Sequence, residues 1–534
     1  MTATDGFPRA SAEAARRYRT AGLWDDRTLA DGVEAAAARG PGAVALVDNE
    51  RRMTRAELAE AVAAGVATLA AAGVRAGDGA VLVSGNTRHG VIAYHALLRS
   101  AATVVALDRR CGIADLRAAL DVLPEGSRVI VPATEAGRLG EVLDPAATVS
   151  LELFDERPAP GATAASPSSA WSEPDRDRAA VVLFTSGTTS RPKGVVHSLN
   201  TLTAGARNMA LITSADEGTV QFLVSPLTSI TGLMQVHLAA DAHAALVLED
   251  RFDPEESLRR MNAAGATLLG GAPVIAERLL HAALADTKAD AGARLSLRTL
   301  ALGGAMLPRP LLELATDTFG IEIARVYGSS EAPNFTGSLP GDERERRLSD
   351  DGALTPGSEV RVGSAQHPME GLLRGPCLFL GYLDPADDDD AFEDGWYRSG
   401  DQVELDQGRL TVVGRLKDVA NRNGLKISLA EIDAALEGLP GALESASFAH
   451  PDPATGERLA VAVRPADRAG ITLDGVVEHL LAAGLAKRKL PEQLVRWDGP
   501  LPRTASGKVV RSRLLMESPG KDGDLAARLR AVTR

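Results

Sequence analysis

Phe184-Thr185-Ser186-Gly187-Thr188-Thr189-Ser190-Arg191-Pro192-Lys193-Gly194 follows directly on the apolar run Ala179-Ala180-Val181-Val182-Leu183. The apolar run predicts a buried strand, and the hydroxyls, glycines and lysine behind it predict a loop. Glycine lets a backbone come close to a ligand, and clustered N–H and O–H donors with one lysine suit the oxygens of a polyphosphate. A Ser/Thr/Gly surface linker is the plain alternative, but linkers rarely carry an ordered string of this kind behind a buried strand. The P-loop of nucleoside triphosphatases is a different object, because it needs G-x-x-x-x-G-K-[ST] with a helix opening at the lysine. Here Pro192 disfavours helix at Arg191, and a valine pair follows Gly194.

The chain has 534 residues, too many for one core, so two or more domains are expected. Its net charge of −13 argues against a general nucleic-acid binder while leaving room for a local nucleotide pocket. Cys111 and Cys377 stand far apart without metal-ligand spacing, which points to a reducing compartment. The first residues lack the apolar stretch of a signal peptide, and no run is apolar enough to span a bilayer. The expectation is a soluble cytoplasmic protein without membrane insertion.

Outward from the opening stretch, the chain alternates helix and strand. Residues 55–72 and 90–100 read as helices, and residues 79–84 and 102–107 as short apolar strands. Strands recur at 220–224, 244–248, 267–270 and 299–302. This rhythm predicts an α/β fold with parallel-rich sheets covered on both faces. Residues 158–174 read as a loop, and residues 384–393, with four consecutive aspartates, as a solvated acidic turn. After Gly395 the texture changes to hairpin chemistry: strands at 402–405 and 410–413 flank Asp406-Gln407-Gly408. A helix at 429–437, strands at 446–449 and 459–464 and a helix at 473–483 complete a small α+β unit. The expected division is residues 1–416 and 417–534.

Four further strings fall in order behind the first: Val326-Tyr327-Gly328-Ser329-Ser330-Glu331, Gly395-Trp396-Tyr397-Arg398-Ser399-Gly400-Asp401, Gly414-Arg415-Leu416-Lys417-Asp418 and Leu501-Pro502-Arg503-Thr504-Ala505-Ser506-Gly507-Lys508. Each alone has an ordinary reading as a strand end, a hairpin turn or a basic tail. Together, over nearly the whole chain, they resemble the motifs of the acyl-adenylate-forming enzymes: acyl- and aryl-CoA ligases, adenylation domains of peptide synthetases, and luciferases. The likeness is greatest to the acyl-CoA synthetases.

That resemblance implies a large N-terminal domain of sheets, helices and a distorted barrel, with a small mobile C-terminal domain. It implies ATP, Mg2+ and CoA as cosubstrates and cofactor. Thr185, Ser186, Gly187, Thr188, Thr189 and Lys193 would hold phosphates. The Tyr327 ring suits stacking on adenine, beside Gly328 and Ser330, and Gly303-Gly304-Ala305 fit backbone packing against the purine. Glu331 would offer oxygen to Mg2+. Asp401 would accept from both ribose hydroxyls, with Arg415 beside it. Lys508 would bring a mobile positive charge to the carboxylate and α-phosphate, and Lys417 would occupy the interdomain hinge. Gly424 would border the thiol channel.

The chain departs from the family pattern in places. Ser190 replaces a glycine, Ala420 a larger aliphatic, and Asn423 the first glycine of R-G-G. The acceptor is therefore CoA or, alternatively, a carrier protein. A non-catalytic nucleotide binder is disfavoured because Lys193, Glu331, Asp401 and Lys508 are all present. The sequence leaves a homodimer open.

In the expected acyl pocket, Thr228 and Ser229 stand where many relatives carry an aromatic residue and a histidine. Gly232 and Gly270-Gly271-Ala272 also leave room, and no acidic residue is placed to pair with an α-amino group. A wide, apolar pocket with a few hydroxyls predicts a bulky alicyclic, polycyclic or aryl carboxylic acid.

Overall fold

The structure is a computed structural model that describes residues 11–25, 29–155, 176–185, 193–289, 295–304, 307–423, 425–467, 470–504 and 508–526. The chain forms two compact units. The first comprises Met1–Gly304, Leu311–Glu359 and Leu373–Tyr397; the second comprises Ala305–Pro310, Val360–Leu372 and Arg398–Arg534.

The first unit is α/β, as the alternating pattern predicts. One sheet has the order Gly381–Tyr382, Lys193–His197, Val181–Thr185, Thr103–Asp108, Gly79–Ser84, Arg128–Val131, Thr148–Ser150. It is parallel from Val181–Thr185 onward, and Lys193–His197 runs antiparallel to that strand. A second sheet runs Val44–Val47, Ala245–Leu248, Val220–Leu223, Leu268–Gly271, Thr299–Gly303, Glu322–Tyr327, all parallel. Strands buried on both faces explain their unbroken apolar sequences, such as GAVLVS over Gly79–Ser84.

Two helices are buried on every side. Residues 90–98 of Arg88–Arg99 and residues 232–238 of Ile230–Ala242 have no exposed position. Burial around the whole circumference, with His95, Gln235 and His237 among mostly apolar side chains, makes these helices the filling of a core rather than its cover. Tyr94, Ile92 and Leu97 join Leu82, Leu183, Leu202 and Leu233 in one continuous cluster. The first of these helices starts at Arg88, two residues before the sequence reading, because Thr87 caps it by accepting from the Gly90 N–H.

The second unit holds the expected hairpin: Trp396–Asp406 pairs antiparallel with Arg409–Arg415. Gln407 and Gly408 at its tip both have positive φ, the two-residue turn that suits the twist of paired strands. Beyond it, Leu425–Ser428, Val419–Arg422, Gly456–Pro465, Gln493–Arg496 and Gly523–Leu525 form one sheet, with Ala442–Asp452 on Gly456–Pro465. Successive residues of Gly456–Pro465 point to opposite faces. Leu459, Val461 and Val463 enter one core with Ile432, Val476 and Leu480. Ala460 and Ala462 enter the other with Phe448, Trp497, Leu501 and Leu514. This second core brackets the segment that carries Lys508, with Leu501 before it and Leu514 behind.

The expected solvated acidic turn is corrected in part. Asp389 and Asp390 are exposed, but Asp387 turns inward to within 3.3 Å of the Lys193 ammonium. Asp388 accepts from the Tyr382 N–H at 2.8 Å. Attraction to a nearby cation and an unpaired backbone donor outweigh hydration for these two carboxylates.

Candidate active site

The two ends of the hydroxyl-rich loop are brought together by strand pairing. Thr185 closes Val181–Thr185, Lys193 opens Lys193–His197, and the two residues lie opposite each other. Ser186, Gly187, Thr188 and Thr189 fall outside the described residues, as do Ala305 and Gly424.

Lys193 stands against the face of Tyr382, with its ammonium 4.6 Å from the ring centroid and 3.3 Å from Asp387. The Tyr382 hydroxyl donates to Glu331 Oε1 at 2.9 Å. One aromatic side chain thus connects the loop lysine to the candidate metal-binding carboxylate. Burial, reinforced by the charge of Glu331, pushes the Tyr382 hydroxyl pKa far above the usual phenol range, so the group remains a donor. Phe379 packs edge-on against the Tyr382 ring with centroids 4.9 Å apart, and Phe392 and Tyr397 pack in turn against Phe379.

Glu331 lies just beyond Glu322–Tyr327, in a turn held from three sides. Its N–H donates to Ser329 Oγ and its carbonyl accepts from the Phe379 N–H at 2.7 Å. The preceding Ser330 carbonyl accepts from His197 Nε2, also at 2.7 Å. His197 is fully buried, and burial drives its pKa down to about 4, so the ring is neutral at pH 7. A Cβ on Gly328 would stand 2.7 Å from both Ala332 O and Asn334 N, which is why the turn after Tyr327 requires glycine.

Gly303 and Gly304 have backbone reasons of their own. A Cβ on Gly303 would meet Val326 O at 2.1 Å, and Gly304 has a φ of 77°. Thr228 is buried beside Ser229, whose hydroxyl caps Ile230–Ala242 by accepting from the Gly232 N–H at 3.1 Å and donating to Pro226 O at 2.7 Å. Gly232 is compulsory, since a Cβ there would lie 2.1 Å from Pro226 O. The loop before the helix is held by Asn86, which donates to Ser225 O and Glu249 O and accepts from the Leu227 N–H at 2.7 Å. Gly271 ends its strand, and a Cβ there would be 3.2 Å from Ser225 Oγ.

In the second unit, Asp401 is buried and faces Arg415 across the hairpin, with Arg415 Nε 3.0 Å from its Oδ1. Ser399 supports it by accepting from the Asp401 N–H and donating to Gly371 O. Lys417 is exposed in the bend between Arg409–Arg415 and Val419–Arg422. Asn423 has a φ of 53°, a left-handed conformation that asparagine tolerates better than most non-glycine residues. Asn423 therefore makes this turn without a glycine. Lys508 is tied back to Thr504: Thr504 N donates to its carbonyl at 2.8 Å, and its own N–H donates to Thr504 Oγ1 at 3.1 Å.

Tyr382, Asp387, His197 and Asn86 are the site residues that sequence reading passed over. Gly381-Tyr382 directly precedes the acidic turn and carried the only visible signal. The other three act through partners far away along the chain.

The description "AMP-binding enzyme" matches residues 33–383. A salicylyl-CoA synthase / salicylate adenylyltransferase of Streptomyces sp is 30% identical, with 98% of this chain and 99% of the relative covered. A 3-[(3aS,4S,7aS)-7a-methyl-1,5-dioxo-octahydro-1H-inden-4-yl]propanoyl:CoA ligase of Mycobacterium tuberculosis is 32% identical, over 92% of this chain and 99% of the relative. Among solved structures, o-succinylbenzoate CoA synthetase of Bacillus subtilis in complex with its acyl-adenylate intermediate has a TM-score of 0.78 at 24% identity, covering 92% of this chain and 99% of that one.

The chain belongs to the AMP-binding enzyme family. Within it, the chain is an AMP-forming ligase of the acyl- and aryl-CoA ligase group. Among the described residues no helix is long and apolar enough to cross a membrane.

Proposed function

We propose that this enzyme activates a bulky, largely apolar carboxylic acid as its adenylate and transfers the acyl group to CoA. The observation that carries the reading is the linked set Lys193, Tyr382 and Glu331 at the mouth of the hydroxyl-rich loop. A carboxylate is a poor acyl donor because oxide is a poor leaving group. Attack of the substrate carboxylate on the α-phosphorus of ATP, with loss of pyrophosphate, replaces oxide by AMP.

Lys193 and the loop donors are suited to the charge on the departing pyrophosphate, and Lys508 to the charge where two anions meet. Among the described residues no cluster of three or more His, Cys, Asp or Glu side chains could hold a metal alone. A single carboxylate fits Mg2+ bound chiefly through nucleotide phosphates and water, so Glu331 would hold it and Tyr382 would orient Glu331. Mg2+ would supply charge neutralisation on the phosphate oxygens. Asp401 would bind the ribose, and Lys417 would act as the hinge at a boundary between residues 416 and 417.

CoA is preferred to a carrier protein as acceptor because the relatives are named as CoA ligases and synthases, and Asn423 takes a left-handed turn conformation that does not demand glycine. For the acid, support comes from two relatives, one named for salicylate and one for a bicyclic propanoate. Buried Thr228 in place of a bulkier residue gives the same direction. Carboxylate-dependent exchange of pyrophosphate into ATP over a panel of aryl, alicyclic, polycyclic and straight-chain acids tests the reading. It expects exchange with ring-bearing acids and a CoA thioester when CoA is added. Exchange restricted to straight-chain or amino acids would overturn it.

A further inference from the structure

The helix Ile230–Ala242 starts in the pocket segment and lies against the second sheet, and it carries Gln235 along that contact. Gln235 is 3% exposed. Its Nε2 faces two carbonyls, Thr231 O at 3.3 Å and Gly270 O at 3.4 Å. The amide orientation is therefore set, since reversing it would place oxygen against oxygen. Gln235 Oε1 has no hydrogen-bond partner among the described residues.

Opposite it, Gly270 has no side chain. A Cβ there would lie 3.7 Å from Oε1, in ordinary contact, so glycine leaves a methyl-sized space beside the unpaired oxygen. The neighbouring strand offers Ala301 in register with Gly270, a second small residue on the same face. Gln221, at the same face of Val220–Leu223, is fully buried and also leaves its Oε1 without a partner. Buried polar atoms are rarely left unpaired, and each costs on the order of 1–3 kcal/mol.

In open α/β sheets, ligands enter at the carboxyl ends of the strands. Here those ends are Leu223, Gly271 and Gly303. Gln235 is six residues beyond the Ser229 cap, about 9 Å along the helix at ~1.5 Å per residue. Gly270 immediately precedes the strand end Gly271, so Gln235 Oε1 lies beside the carboxyl end of this strand, set back from the Ser229 cap.

We infer that the acid substrate carries a hydroxyl or N–H donor at the end remote from its carboxyl group, and that this donor pairs with Gln235 Oε1. The inference rests on the proposed acyl pocket and narrows its substrate class from bulky apolar acids to those with one distal donor. Gln235 is then a specificity determinant, reading one polar atom in an otherwise apolar cavity.

Paired acids test it: cinnamate with para-hydroxycinnamate, and naphthoate with a naphthoate hydroxylated on the far ring. For each, kcat/KM for pyrophosphate exchange and binding by calorimetry are measured in the wild type and in Gln235→Leu. Leucine has a similar size and removes the unpaired oxygen, so the variant should fold. The wild type should favour the donor-bearing member of at least one pair by roughly ten- to a hundredfold, and Gln235→Leu should erase the ratio by slowing that acid alone. Equal use of both members, or a ratio unchanged in Gln235→Leu, overturns the inference and leaves a buried water as the partner of Oε1. Binding that depends on donor and Gln235 without exchange would keep the inference and sink the adenylation reading. Exchange indifferent to both would do the reverse.

Discussion

Replacing Tyr382 by phenylalanine removes one oxygen from the junction between Lys193 and Glu331. The hydroxyl donates to a carboxylate oxygen at 2.9 Å, and hydrogen bonds to charged groups are worth about 1.5–3 kcal/mol. Glu331 is only half-buried, which favours the lower part of that range. Phenylalanine keeps the aromatic face against the Lys193 ammonium, and the edge contact of Phe379 keeps the ring in place. The loss should therefore fall chiefly on Glu331, with Tyr397 losing its hydroxyl partner as well. At about 1.4 kcal/mol per decade, kcat/KM for ATP should drop roughly ten- to thirtyfold in acid-dependent pyrophosphate exchange. The deficit should shrink as Mg2+ is raised, because a less ordered Glu331 holds the ion less well. Tyr382→Leu removes the ring as well and should lose a further few-fold, the order of an exposed cation–π contact. Activity of Tyr382→Phe within twofold of wild type at every Mg2+ concentration would refute the claim that this hydroxyl orients Glu331.

Three other outcomes follow from the same geometry. Lys508→Ala should slow adenylation by roughly a hundred- to a thousandfold while affecting thioester formation from supplied acyl-adenylate much less; equal losses in the two half-reactions would contradict its assigned role. Thr228→Phe should reject the bulkiest acids roughly ten- to a hundredfold relative to small aryl acids, and an unchanged kcat/KM ratio would remove Thr228 from the pocket wall. Burial holds His95 and His197 near a pKa of about 4 and His237 near about 3. All three are therefore depressed below the unfolded value of about 6.5. Below that pH the unfolded chain takes up protons that the native chain refuses, so stability is full above about 6.5 and falls as the pH drops toward 4, on the order of 3 kcal/mol per histidine. Urea midpoints measured at intervals across that window should decline steadily, and a flat profile would mean the histidines are not buried as neutral rings.

The strands were the most legible part of the chain. Runs such as Gly79–Ser84 are apolar on both faces because the sheet is covered on both sides, and continuous hydrophobicity marks that arrangement directly. The long hairpin of Ala442–Asp452 with Gly456–Pro465 was only half visible. Its ends carry Glu444, Ser445, Pro451 and Asp452, whose polarity hides extended backbone from a pattern reading. Glycines were legible as necessary but not as to why. Gly303 answers to Val326 O on the neighbouring strand, and Gly328 to Ala332 O and Asn334 N, which the chain brings back onto it only by turning.

The site was readable where it is contiguous, as around Lys193 and Glu331, and silent where it is assembled across the fold. Tyr382 meets Glu331 across 51 positions of sequence, and His197 meets Ser330 across 133. The acidic turn misled because a run of aspartates reads as solvated, while the fold draws Asp387 toward a lysine nearly two hundred residues earlier. Ser229 is the converse case. It read as a pocket hydroxyl, but its oxygen caps a helix, so replacing it would cost on the order of 1 kcal/mol of stability besides any change in the pocket.

The central claim is that this chain forms an acyl-adenylate from a ring-bearing acid and passes the acyl group to CoA. Incubation of the purified protein with Mg2+, ATP labelled at the α-phosphate and the panel of acids, first without and then with CoA, tests it directly by separating adenylate, AMP and thioester. The account predicts enzyme-bound acyl-adenylate with ring-bearing acids in the absence of CoA, converted to free AMP and acyl-CoA in stoichiometric amounts when CoA is added. Acyl-adenylate that persists unchanged in the presence of CoA, or label appearing only as ADP, would contradict it.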